Sequence, residues 1–265
     1  DLRRFGVDTS AIKRQGNRLG VYFLQTGANQ RASTVTYDRA GSAIAEARPG
    51  ASDWEAILDG ADWFHVSGVT PAISACAADL GLEAVKTGRA KGITVSCDYN
   101  YRKNLWKYGK KAPEVMREIV KHVQVGIANE QDCQKALGIE STVDVRSGSL
   151  DEERYRSIAQ RVLDAFPSLE KQVITLRESH SADRNGWSAV LLNRSTFAQS
   201  AKYDITDIVD RVGSGDAFAA GLIYGMVALQ DDQKAHEFGV AAGCLKHSVP
   251  GDFNVVGRAE VQELV

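Results

Sequence analysis

Residues 63–137 run Trp63-Phe-His-Val66, an Ala-rich stretch over 71–90, Ile93-Thr-Val-Ser-Cys97, a helical stretch over 113–122, Val123-Gln-Val-Gly-Ile127 and a second helical stretch over 130–137. The short apolar runs predict buried strands, and the stretches between them predict helices. Strict alternation of the two means crossovers between parallel neighbours. The region therefore predicts an α/β fold, with a mostly parallel central sheet and helices on both faces. Upstream of it, Ser52-Asp-Trp-Glu55 has the spacing of a capping box and predicts a short helix through Leu58. Downstream, the pattern predicts a helix over 150–166, a strand over 172–176, an antiparallel pair of 187–192 with 195–199, and helices over 215–229 and 233–247. Residues 18–46 have a different texture. Gly20-Val-Tyr-Phe-Leu24 and Ser33-Thr-Val-Thr-Tyr37 flank the turn-prone Thr26-Gly-Ala-Asn-Gln30, which predicts an antiparallel hairpin. The expectation is one α/β domain over 1–265 carrying a small β lid at about 18–46. In open parallel sheets ligands bind beyond the C-terminal ends of the strands, so functional residues are sought just after each strand.

The 265 residues carry 32 Lys+Arg against 34 Asp+Glu, a formal net charge of −2, with 43% hydrophobic residues. This is the balance of an ordinary globular chain, long enough for a sizeable core under a folded surface of about 11,000 Å². Balanced charge removes the general attraction that nucleic-acid binding draws on. No apolar run approaches the ~18 residues of a membrane span, and the N-terminus has no signal-peptide core. Cys76, Cys97, Cys133 and Cys244 lie far apart without a CxxC, indicating neither a zinc ribbon nor a disulfide framework. The expected setting is the reducing cytoplasm. The five histidines show no metal-ligand spacing and are expected to be structural or superficial. The chain opens at Asp1-Leu-Arg-Arg, without Met.

The most informative motif is Asp210-Arg-Val-Gly-Ser-Gly-Asp-Ala-Phe-Ala-Ala-Gly221. Gly213 and Gly215 bracket Ser214, and an almost wholly apolar helix follows. A glycine turn feeding a helix start aims several backbone N–H groups at one point, and the helix dipole adds positive potential there, which suits a phosphate. Asp216 sits at the same end. A carboxylate beside a phosphate site is unfavourable unless it has a task, such as general base for a hydroxyl attacking phosphorus. Phe218 stands where a dinucleotide fingerprint needs Gly or Ala, and no Walker A sequence occurs. Spacing alone also allows a tight turn whose glycines permit φ > 0, with Asp216 as a helix-start residue.

This motif closely resembles the C-terminal signature of the ribokinase-like (PfkB) carbohydrate kinases, and the resemblance runs over essentially the whole chain. It implies Asp216 as catalytic base, and Gly213, Ser214 and Gly215 as an anion hole shared with the nucleotide. Arg211 replaces the Thr usual in much of the family. Within the family, the chain looks most like members acting on 2-keto-3-deoxy sugar acids. Tyr22, Tyr37 and Arg39 match lid positions that contact such a substrate, and Asp98-Tyr-Asn100-Tyr-Arg102 matches an Asp-x-Asn-x-Arg segment at a strand end. Extended chain would place Asp98, Asn100 and Arg102 on one face, and Arg39 and Arg102 could bind a carboxylate bidentately. Either arginine could instead form a surface ion pair. Ser248-Val-Pro-Gly-Asp252 puts Asp252 near the substrate hydroxyls by resemblance, or is simply a turn.

Asn129-Glu-Gln-Asp132 stands where the family has Asn-x-x-Glu, implying an indirect, water-mediated hold on Mg²⁺; an Asn N-cap reads equally well. Arg177 resembles a contact to ATP phosphates, and adenine would lie between Ala217 and the 243–248 turn. The implied activity is ATP-dependent, Mg²⁺-dependent phosphorylation of 2-keto-3-deoxygluconate to its 6-phosphate, by a homodimer joined through the lid or a higher homo-oligomer. The hairpin's Val21, Phe23 and Val35 would pack on the main domain or on that second subunit. The alternatives are a fructokinase- or ribokinase-type enzyme acting on a neutral sugar, and a non-catalytic sugar-acid-binding remnant. The last arises because the family's Gly-Gly-Ala-x-x-Asn motif, on a segment ahead of this chain's start, is not matched in residues 1–265; an N-terminal segment is expected to be missing from the chain.

Overall fold

The computed structural model describes residues 2–140 and 152–265. A two-stranded hairpin, β1 (Val21–Gln25) and β2 (Thr34–Asp38), is followed by two single-turn helices, α1 (Ala43–Glu46) and α2 (Trp54–Ile57). Then come β3 (Trp63–Ser67), α3 (Val69–Ile73), α4 (Ala75–Ala90), β4 (Thr94–Asp98), α5 (Ala112–Val120), β5 (Val125–Asn129) and α6 (Glu130–Leu137). The chain continues through α7 (Glu152–Ala165), β6 (Lys171–Ser179), β7 (Asn185–Asn193), β8 (Phe197–Gln199) and β9 (Tyr203–Ile205). It closes with α8 (Ser214–Ala228), α9 (Asp232–Lys246) and α10 (Arg258–Leu264).

The second sheet has seven strands in the order β3-β4-β5-β6-β7-β8, with β9 also paired to β7. β3 to β6 are parallel neighbours, β7 is antiparallel to β6, and β8 and β9 are antiparallel to β7. All strands but β7 therefore point the same way, as expected of a mostly parallel sheet. Alternation along the strands sorts the core into two layers. Ala128, Ile174, Leu176, Val190 and Leu192 join Met116, Ile119, Ile158 and Val162 of α5 and α7 in one cluster. Val125, Ile127, Val173, Ala189 and Leu191 join Phe218, Leu222 and Val240 of α8 and α9 in the other. Each enclosed Val, Leu, Ile, Met or Phe among them contributes about 1.5–3 kcal/mol of transfer free energy. α8 and α9 approach closely because glycines face the contact: a Cβ on Gly221 would lie 2.9 Å from Ala242 Cβ, and one on Gly225 would collide with Ala235.

Several local expectations change. The single helix expected over 71–90 is two, broken at Ser74 (φ −160°, ψ 166°). The Ser74 hydroxyl accepts from Ala77 N at 3.0 Å and donates to Ala45 O at 2.6 Å, so a new helix starts there instead of the old one continuing. Asp53, not Ser52, caps α2, accepting from Ala56 N at 3.1 Å. β3 is an edge strand with only Val66 buried, so it is less enclosed than its apolar sequence suggests. The first two residues of the helix expected from 150 lie outside the described residues. The short β9, α1 and α10 had no sequence signal long enough to read. The accessible surface is 13754 Å², and the hairpin and residues 10–19 are largely exposed.

Candidate active site

The start of α8 is built on Gly213, held at φ +78° as the helix N-cap. A Cβ there would run into the Asp252 carbonyl oxygen and meet Lys246 Cε at 3.3 Å, so both space and backbone conformation require glycine. Asp210 fixes the turn from within: its carboxylate accepts from Val212 N at 3.0 Å and from Gly251 N at 2.9 Å. The Ser214 hydroxyl is also committed internally, donating to Arg211 O and accepting from Arg177 Nη2, each at 3.0 Å. What remains for an anion is the backbone: the N–H groups of a first helical turn have no intrahelical acceptor.

Asp216, at the third helical position, opens to a cleft of about 640 Å³ that also includes Gly213, Ala217, Tyr224 and Asp252. Its carboxyl is held above the usual range, first by the surrounding protein and then by Asp252, with Arg102 opposing. Beside it, Asp98 at the end of β4 is raised to about 7 by burial, with Asp132 and Asp216 adding to the effect and Arg102 opposing. Asp98, Asn100 and Arg102 do converge, but through a turn and not through strand alternation. β4 ends at Asp98, and Asn100 has φ +39° while its Nδ2 donates to Asp98 Oδ2 and Ser67 Oγ.

The hairpin reaches the same place. Tyr22 pairs with Tyr37 across β1 and β2, on the half-buried face. The Arg39 guanidinium lies over both rings, 6.0 and 5.7 Å from their centroids. Tyr22 Oη donates to Asp252 Oδ2 at 2.9 Å, and burial, that bond and its charge raise the phenol to about 12. At the hairpin tip, Asn29 N donates to Asp183 Oδ2 and Ala182 N donates to Asn29 O, both at 2.7 Å. Val21 and Phe23 face outward, exposed, while Val35 lies on the Tyr22 side. Neither Arg39 nor Arg102 forms an ion pair among the described residues; Arg102 donates only to the Tyr101 carbonyl, at 3.1 Å.

Two positions are differently employed. Asn129 Oδ1 accepts from Asp132 N at 2.9 Å, and Asp132 Oδ2 accepts from Asn129 N at 3.2 Å. Asp132 Oδ1 accepts from Tyr101 N at 3.0 Å, so both its oxygens serve backbone donors in a side chain only 4% exposed. Arg177, at the phosphate turn, packs over Trp187 at 5.4 Å. Crowding by protein, with Arg211 and Arg102 nearby, lowers it to about 10, although part of its surface still meets solvent. Ala217 and Ala242 line the cleft, while residues 243–246 belong to α9 and Gly243 packs against the Trp187 ring. Sequence reading missed Lys246 and the task of Arg211, which donates to Ser181 O and to Asn185 Oδ1 (2.7 Å). Only their adjacency to the recognised motifs pointed to either. The histidines are structural or superficial: His65, for example, shares Ser96 Oγ with Trp63.

A left-handed glycine turn, a helix start and an open aspartate lie together at one cleft, an arrangement that suits an anionic ligand. Residues 1–255 match the pfkB family of carbohydrate kinases, and the chain belongs to that family. It is a carbohydrate kinase, which sets aside the non-catalytic alternative. Among solved structures it resembles the 2-dehydro-3-deoxygluconokinase of Thermotoga maritima, with 47% identity, a TM-score of 0.90, and 99% of this chain and 77% of that one covered. Among characterised sequences it is 28% identical to the 2-dehydro-3-deoxygalactonokinase of Haloferax volcanii, over 100% of this chain and 76% of that protein. It is 27% identical to the 2-dehydro-3-deoxygluconokinase of Bacillus subtilis, over 96% and 71%.

Proposed function

We propose that the protein transfers the γ-phosphoryl group of ATP to the terminal hydroxyl of 2-keto-3-deoxygluconate (2-dehydro-3-deoxygluconate), giving the 6-phosphate. The observation that carries this reading is Asp216 at a helix start, open to the cleft, in one cluster with the Arg102 guanidinium, which forms no close ion pair among the described residues. Asp216 takes the hydroxyl proton as that oxygen attacks phosphorus in line, and ADP leaves. A base held above the ordinary carboxylate range suits this task, worth typically 10²–10⁴-fold. The N–H groups at the start of α8, from Gly213 to Gly215, stabilise charge on the transferring group, and Arg177 meets the nucleotide phosphates. Arg39 and Arg102 hold the substrate carboxylate, while Tyr22, Tyr37 and Asp252 meet its hydroxyls.

The hairpin acts as a lid over the one α/β domain and excludes water. Its outer face, with Val21 37% and Phe23 62% exposed, would meet a second copy in a cytoplasmic homodimer. Magnesium fits poorly as a directly held ion. Asp132 is spent on backbone donors, and among the described residues no group of three acidic, His or Cys side chains could hold a metal. No step here runs through it.

A coupled ADP-release assay tests the reading, comparing 2-keto-3-deoxygluconate and its galactonate epimer with fructose and ribose. The expected outcome is a kcat/KM about 100-fold or more higher for the acids, from charge-assisted bonds that a neutral sugar lacks. Preference for fructose or ribose would overturn it.

A further inference from the structure

Lys246 ends α9 and is fully enclosed, 0% exposed, although no step above touches it. An enclosed ammonium is costly unless its hydrogens and charge are met. Here Nζ donates to Val249 O at 2.9 Å. Asp210 and Asp252 face the ammonium and favour its charged form against burial. Cε lies 3.3 Å from the place a Cβ on Gly213 would take, which packs the lysine stem against the turn. Asp210 in turn binds Val212 N and Gly251 N, one from each segment that the lysine touches.

We propose that Lys246 is a positioning residue: its enclosed ammonium holds the Gly213 turn and the 249–252 loop in one arrangement and supplies a fixed positive charge behind the phosphoryl site. The inference rests on that turn being the phosphoryl site. Without the lysine, the charges of Asp210 and Asp252 beside the turn would be offset only by their bonds from Val212 N, Gly251 N and Tyr22 Oη. In a water-poor site such a fixed charge costs no reorganisation at the moment of transfer.

Amide hydrogen exchange on the full chain tests the first half without needing any substrate. K246M, which keeps the stem and removes the charge, should speed exchange about tenfold or more over 213–218 and 249–254 while leaving β4–β6 unchanged. Steady-state kinetics test the second half. K246M should lose about tenfold or more in kcat with the KM for the sugar acid within about threefold of wild type. K246R should retain more activity than K246M, and ethylammonium should raise the rate of K246A but not of wild type. Unchanged exchange in both segments, or a kcat within about twofold of wild type, would overturn the proposal. So would equal loss in K246M and K246R without rescue by ethylammonium, which would make the lysine a space-filler. Should K246M not fold, exchange in K246A with and without ethylammonium takes its place. If wild type phosphorylates no sugar at all, the proposed function fails, and the exchange comparison still decides the role of Lys246.

Discussion

Asp132 and Asp216 occupy the same position on two helices, the third residue of α6 and of α8, yet they have opposite fates. Asn129 caps α6 with a side chain, and the two residues satisfy each other's backbone N–H groups, with Tyr101 N taking the remaining oxygen. Gly213 caps α8 with no side chain, in a conformation that turns the chain away. Asp216 thus has no reciprocal partner and opens to the cleft. The conformation of the cap decides the difference: Gly257, an extended glycine cap, still donates its N–H to Glu260 three residues on at 2.7 Å, whereas the left-handed Gly213 leaves Asp216 without that bond.

The largest test of this contrast is D216N, which should lower kcat about 10³-fold while leaving sugar-acid binding in place. It should not lower Tm. The folded chain holds Asp216 above its usual range, so ionisation there opposes folding at neutral pH and removing the charge relieves that cost. Substantial residual turnover, or a clear fall in Tm, would break the comparison. R102A reaches both aspartates, because Arg102 lowers each of them. It should raise the KM for the sugar acid about 10- to 100-fold with little change for ATP, as expected for a lost charge-assisted bond. It should also move the acid limb of kcat/KM to higher pH. Equal effects on both substrates would count against a carboxylate partner.

D132A should do the reverse of D216N. Two backbone donors lose their acceptor, at about 1–3 kcal/mol each where the site stays dry, so thermal melts should show a clear loss while kcat per folded molecule falls far less. The last test is in pH dependence. Asp98 is raised to about 7 in the folded chain against about 3.9 unfolded. Between those values folding takes up a proton, so this group's contribution to stability falls as pH rises and is level above both. D98N should flatten Tm against pH over that window; an unchanged slope would show that Asp98 ionises normally.

The strands and helices from β3 to α6 were legible because their apolar periods are clean, and the Gly213 turn stood out as two glycines before an apolar helix, with its proposed task coming from the family resemblance. The break at Ser74 was hidden because a serine inside an Ala-rich stretch fits a helix interior as readily as a cap; its bond to Ala45 O, 29 residues away, decides the matter. The closed state of Asp132 was visible as an N-cap pattern, but not the third bond from Tyr101 that uses up its last oxygen. Lys246 was invisible for a simpler reason. A lysine at a helix C-terminus normally lies in solvent, whereas the 249–252 loop and the Gly213 turn close over this one.

The hairpin is fastened at two separate places: Tyr22 to Asp252 beside the catalytic turn, and Asn29 to the 182–183 bend of the main domain. A flap tied at one point can pivot ajar, whereas one tied at two must release both ties before a product can pass. The ties hold different parts of the site, so their strengths can be changed separately. Turnover limited by departure of the phosphorylated product would then respond to residue 183, which is not among the residues lining the cleft at Asp216.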